Sequence, residues 1–117
     1  KTIPKKLEKY LLEHKFKNII LNANEIEDLV LYGAGNIARE LVRKTSFFKN
    51  LRNFDIVDSD EEKIGNTFFK KKILSKEILK NDKRKVFIAS ALFYDEIYDN
   101  IVQIKGNENN IITGLIV

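Results

Sequence analysis

The sequence predicts an α/β fold, a small parallel sheet of about four strands with helices on both faces, plus an N-terminal helix. Three observations lead there. Short apolar-rich runs recur at residues 29–32, 54–57, 86–89 and 111–117, and the first has no polar alternation, as suits a strand buried on both faces. Stretches with apolar residues at helical spacing lie between them, so each crossover returns the chain to the same strand direction. A chain of 117 residues, 44% hydrophobic and 32% charged, with one proline and five glycines, suits a single packed domain.

The elements follow in order. Pro4 to His14 places proline near a helix start and gathers Leu7, Tyr10, Leu11 and Leu12 toward one side, which predicts a short amphipathic helix. Residues 16–21 are apolar-rich, and Asn22-Ala23-Asn24 reads as a turn. Residues 1–27 are therefore a helical segment ahead of a domain over 28–117. Leu29 to Tyr32 is the first strand; it stops at Gly33, and Ile37, Ala38, Leu41 and Val42 then repeat at helical spacing to about Lys44. Phe54 to Val57 is the second strand and ends in Asp58-Ser59-Asp60, residues that favour turns by bonding nearby backbone. A Gly65-Asn66 turn, Ile73-Leu74 and a short helix capped by Ser75 follow. Val86 to Ala89 is the third strand. Phe93, Ile97, Ile101, Val102 and Ile104 then predict a helix closed by Gly106, and Ile111 to Val117 a fourth strand.

Composition removes several classes of function. The absence of cysteine excludes disulfides, thiolate metal sites, iron–sulfur clusters and cysteine nucleophiles, and is compatible with the cytoplasm. No apolar stretch reaches the roughly 18–20 residues that span a bilayer, and the charged first residues do not read as a secretory signal, so a cytoplasmic protein is expected. The chain lacks an initiating methionine and ends on apolar residues, which fits either an excised domain or a tucked-in terminus. Net charge is +4 from 21 basic and 17 acidic residues, with Lys70, Lys71 and Lys72 forming a tight basic run. Without interleaved aromatic residues, that run reads as a solvated loop rather than a nucleic-acid patch.

The segment from Gly33 to Ala38, Gly-Ala-Gly-Asn-Ile-Ala, matches the pattern G-x-G-x-x-G/A between a strand and a helix. Gly33 lets the strand turn sharply, Gly35 lets a phosphate approach the backbone, and Ala38 lets helix and strand pack closely. Helix-start amides near Gly35, Asn36 and Ile37, beside Ala34, would face an anion. Asp58 lies 20 residues beyond Ala38, where a carboxylate can accept from ribose hydroxyls and disfavours a 2′-phosphate; Asp60 is a lesser candidate. Ser90, at the same sheet edge, either bonds a phosphate or caps the following helix. The same glycines also suit a turn that only closes strand onto helix, so a ligand-free structural or assembly module stays open beside nucleotide binding. A methyltransferase-like site is a third reading, weakened by Ile37 at the place of the third glycine in G-x-G-x-G.

Catalytic candidates are few. His14, the only histidine, reads as a solvated helix end, and Asp95, Glu96 and Asp99 as a solvated helix face. Tyr-x-x-x-Lys, Walker A, H-E-x-x-H and G-x-S-x-G patterns are absent. Binding and orientation of a ligand is the expected role, with any chemistry supplied by another domain or a homo-oligomeric partner.

In series, Tyr32-Gly33-Ala34-Gly35, residues 54–60, Lys63-Ile64-Gly65, residues 73–77 and residues 86–90 resemble a Rossmann-like module of bacterial surface-glycan enzymes. The similarity is to the N-terminal domain of sialic-acid-type sugar O-acyltransferases, to domains attached to sugar methyltransferases, and to the nucleotide-binding part of polysaccharide-biosynthesis dehydratases. It covers about residues 28 to 117. The resemblance implies a nucleotide-sugar pocket at Gly33, Ala34, Gly35 and Asp58, with a nucleotide-sugar or NAD as ligand. Where many relatives continue the turn with Gly-His, this chain has Asn36-Ile37, which does not support histidine-dependent acetyl transfer; it also carries no left-handed β-helix repeats for acetyl-CoA.

Overall fold

In a computed structural model, the structure describes residues 28–44, 48 and 53–112. The expected N-terminal helix, the turn at residues 22–24, His14 and the end of the last strand lie outside them.

The central strand β1, Asp28–Tyr32, determines the layering. Its residues 29–32 are each at most 1% exposed. Leu29 and Leu31 belong to one apolar cluster and Val30 and Tyr32 to another, so both faces of the strand are covered. Helix α1, Asn36–Lys44, closes the first face with Ala38 and Leu41 against Phe54, Ile56 and Phe87. On the other face, helix α2, Tyr94–Lys105, presents Tyr94, Ile97, Tyr98 and Ile101 toward Val57, Val86 and Ile88. Gly106, with φ of 80°, ends α2 by donating its N–H to the Val102 carbonyl at 2.7 Å.

Strand β2, Asn53–Asp58, pairs in parallel with β1. A two-residue hairpin, β3 at Thr67–Phe68 and β4 at Lys71–Lys72, comes next, and then β5 at Leu74–Ser75. A 3-10 helix, Lys76–Asn81, leads to β6, Lys85–Ile88; after α2 comes β7, Ile111–Ile112. The parallel sheet has five strands in the order β5-β2-β1-β6-β7. Taken in chain order, its strands lie third, second, first, fourth, fifth, the doubly wound order through five of its usual six. The order reverses between β1 and β6, which opens a crevice at their carboxyl ends.

The α/β class and the helices on both faces agree with the sequence reading, whereas the strand count is five rather than four. The extra strand, β5, is only two residues long and pairs Leu74 with Val57 and Ser75 with Asp58. Two residues show no periodicity, so only tertiary pairing makes them a strand. The lysine run is likewise not a plain loop: Lys71 and Lys72 form β4, and Lys71 Nζ donates to Asn53 Oδ1 at 3.2 Å. The hairpin turn places Phe69 at φ 48° and Lys70 at φ 67°. Positive φ at both positions is the geometry of a type I′ turn, which ordinarily takes Asn-Gly. The helix after Ser75 is a short 3-10 segment, with Ser75 Oγ accepting from the Glu77 N–H at 3.2 Å.

At the amino end of the sheet, one side chain ties three parts together. Arg84 donates to Asp28 Oδ1 at 2.9 Å, Asp55 Oδ2 at 2.7 Å and Asp82 Oδ2 at 2.6 Å. Those carboxylates come from β1, from β2 and from the approach to β6. The hydrogen bond from Arg84 to Asp82 holds the carboxyl below its usual range and raises the guanidinium's affinity for its proton.

Two stability tests follow from these features. Lys70→Gly should stabilise by about 1 kcal/mol in urea titration, because glycine adopts positive φ without the Cβ clash. Arg84→Met should cost about 2 kcal/mol at pH 7, less than the roughly 3–5 for a fully buried pair, since Asp28 and Asp55 stay 40% and 37% exposed. Because the Asp82 carboxyl is lowered by folding, its contribution is present above the unfolded value of about 3.9 and is lost as pH falls through the folded value. The gap in urea midpoint between the parent and Arg84→Met should therefore narrow below about pH 4.

Candidate functional site

Beyond Tyr32 the chain has to leave the sheet and start α1 within three residues, and Gly33 makes this possible. Its φ is 111°, and a Cβ there would lie 3.2 Å from the Ala89 carbonyl oxygen. Both the conformation and the space require glycine. The Gly33 N–H donates to Val57 O at 2.8 Å and the Ala89 N–H to Tyr32 O at 2.8 Å, so the turn is held between the two neighbouring strand ends.

Asp58 completes the turn from the end of β2. Its Oδ2 accepts the Ala34 N–H at 2.8 Å and its Oδ1 accepts the Asp60 N–H at 2.8 Å, while Lys63 Nζ stands 3.9 Å from Oδ2. Ala34 is 3% exposed, so its amide needs that acceptor. The carboxylate is thus both a turn residue and a staple for the glycine loop, a role that the sequence did not signal. Each oxygen retains acceptor capacity toward the crevice.

Gly35 differs from Gly33. Its φ lies outside the left-handed region, and a Cβ there would meet nothing within 4 Å. The first backbone bond of α1 runs from the Arg39 N–H to the Gly35 carbonyl at 3.1 Å, so the amides of Asn36, Ile37 and Ala38 have no partner within the helix. The Asn36 side chain turns to Arg39 instead, accepting at 3.3 Å. Ser90 Oγ accepts the Phe93 N–H at 3.1 Å in the turn before α2. That bond is of the capping kind, though it precedes the helix rather than forming its cap.

A cleft of about 650 Å³ opens above these groups, and Gly33, Ala34, Gly35, Asn36, Ile37, Asp58 and Ser90 all line it. The lesser candidate Asp60 lines it too. Residues that the motifs did not single out complete the wall. Tyr32 donates to or accepts from Ser59 Oγ at 2.6 Å, and burial raises its hydroxyl pKa. Glu96 and Asn100, four residues apart on α2, face the same space, so the helix side read as merely solvated supplies part of the lining. Leu92 and Phe93, 68% and 55% exposed, form an apolar rim. A helical-spacing reading of Glu96 and Asn100 could have paired them; their proximity to Ser59 and Tyr32 comes only from the fold.

The lining mixes both signs of charge. Helix-start amides with no partner within α1 and the positive end of its dipole suit an anion such as phosphate. Asp58, Asp60 and Glu96 offer acceptors for hydroxyl groups, with Lys63 near Asp58. No helix among the described residues is long and apolar enough to cross a membrane, and none of their carboxylates group as a metal site.

Asp58→Ala should destabilise by about 1–2 kcal/mol, because the buried Ala34 N–H loses its acceptor, whereas Asp58→Asn, which keeps an oxygen, should lose less. Thermal unfolding gives the size of the effect, and faster amide exchange at Ala34 in Asp58→Ala locates it.

Comparison with family models, with curated proteins and with solved structures finds no match to this chain.

Proposed function

We propose that this is a Rossmann-like domain that binds a nucleotide, a nucleotide-sugar or NAD, in bacterial surface-polysaccharide biosynthesis, orienting its ligand for chemistry carried out by another domain or subunit. The observation that carries the reading is Gly35. Nothing in the fold calls for glycine there, yet it borders the cleft beside Asn36 and Ile37, whose helix-start amides have no backbone acceptor among the described residues. A missing side chain at that point lets a phosphate reach the backbone. The pyrophosphate would lie on the amides of Asn36 and Ile37, and ribose or sugar hydroxyls would meet Asp58, Asp60 and Glu96. The cleft volume is within the usual range of roughly 300–1,000 Å³ for small-ligand sites. The exposed ring of Phe93 offers a stacking surface for a base. The surface-polysaccharide setting comes from the resemblance of residues 28–117 to glycan-enzyme modules.

Among the described residues lining the cleft there is no histidine, the chain has no cysteine, and the Tyr32 hydroxyl is held by Ser59 with its pKa raised by burial, which makes it a poor base near neutrality. Binding and positioning are what these groups do well.

The space around Gly35 also dictates the test. Gly35→Ala should fold normally whether or not a ligand binds, so stability does not separate nucleotide binding from a purely structural turn. Ligand binding does. A thermal-shift screen with NAD, NADP, coenzyme A, S-adenosylmethionine and UDP-sugars should raise Tm with at least one nucleotide, by an amount equivalent to about 2.7 kcal/mol at 100 times Kd. Gly35→Val should keep the unliganded Tm within a few degrees and abolish that shift. A folded parent protein whose Tm no compound moves would sink the proposal.

A further inference from the structure

Beside the cleft, between the 3-10 helix and α2, lies a second hollow of about 340 Å³ lined by Lys76, Glu77, Lys80, Asn100, Gln103 and Ile104. Asn100 lines both spaces, so the hollow adjoins the cleft through one side chain. Among the described residues, no ion pair engages Lys76 or Lys80. The amides of Asn100 and Gln103 each bring N–H donors and a carbonyl acceptor, that of Asn100 also bonding the Tyr32 hydroxyl, and each ammonium brings three donors. Against two ammoniums stands one carboxylate, Glu77, so positive charge is in excess.

This is the reverse of the adjoining part of the cleft, where Asp58, Asp60 and Glu96 outnumber Lys63. The cleft offers helix-start amides and carboxylate acceptors, and Asn100 joins it to a hollow of net positive charge. A ligand matching these linings carries phosphate and hydroxyl groups for the cleft and another anionic group for the hollow.

We propose that the hollow lined by Lys76, Lys80, Asn100 and Gln103 is an anion subsite that takes a carboxylate or phosphate carried at the far end of the ligand in the cleft. The subsite rests on the nucleotide reading for its continuity with the cleft, while its own affinity for anions is tested separately. Charge-assisted hydrogen bonds from the two ammoniums supply the attraction, and the amides orient the anion.

Two measurements on the full chain decide it. In an NMR titration with inorganic phosphate, the side-chain amide signals of Asn100 and Gln103 should shift saturably, and Lys76→Ala/Lys80→Ala should remove the shifts, whereas Lys76→Arg/Lys80→Arg retains them. Unmoved Asn100 and Gln103 signals overturn the subsite, even if the backbone amides of residues 35–37 respond. Shifts at the hollow with none at the glycine turn support the subsite and count against the nucleotide reading, which keeps the two failures distinct. The carboxylate arm compares UDP-glucuronate with UDP-glucose by calorimetry. The sugar acid should bind about three- to tenfold more tightly at low salt, a preference lost in Lys76→Ala/Lys80→Ala and weakened by added salt. Equal affinity for the two, or a preference that survives the double substitution, overturns the link between hollow and cleft.

Discussion

Burial of β1 on both faces is the constraint from which the architecture follows. Residues 29–32 leave no side chain on a solvated surface, so a helix has to cover each side of the sheet. Crossovers that supply those helices return the chain in parallel, and winding outward in both directions puts the first strand at the centre. The crevice at the reversal is a consequence of that order. The chain leaves these two paired strands toward opposite faces of the sheet, and the part leaving β1 has to turn beside the crevice.

Side-chain staples secure the two ends of the same strands. At the carboxyl end Asp58 bridges the glycine turn and the start of the following loop through two backbone amides. At the amino end Arg84 gathers carboxylates from β1, β2 and the approach to β6. The two work differently. Asp58 is the acceptor of a buried amide with no other among the described residues, whereas Arg84 offsets the mutual repulsion of Asp28 and Asp55, on paired strands, and of Asp82 before β6. Positioning of the turn therefore depends on a polar contact, while the layers depend on apolar packing.

The two glycines of the motif have separate physical origins. Gly33 is explained by the fold alone, through its positive φ and the close Ala89 carbonyl. Gly35 has room for a side chain and a φ outside the left-handed region, so the fold alone does not require glycine there. A motif match treats the two as equal. Only the surroundings of each show which of the two the turn requires.

By itself, the sequence determined the α/β class, the glycine turn between β1 and α1, the acidic end of β2 and the C-cap at Gly106, because each rests on neighbours within a few residues. Strand burial, helix periodicity and turn chemistry are local, and local patterns survive in one dimension. The tertiary structure alone decided that β5 is a strand, that Arg84 reaches β1 and β2, and that Glu96 and Asn100 line the same cleft as Tyr32 and Ser59. Those facts depend on pairings between residues far apart in the chain, which no spacing records. Asp58 shows both sides of the division: its position in the sequence pointed to a ligand, and the fold gave its carboxylate a first duty to the backbone of Ala34.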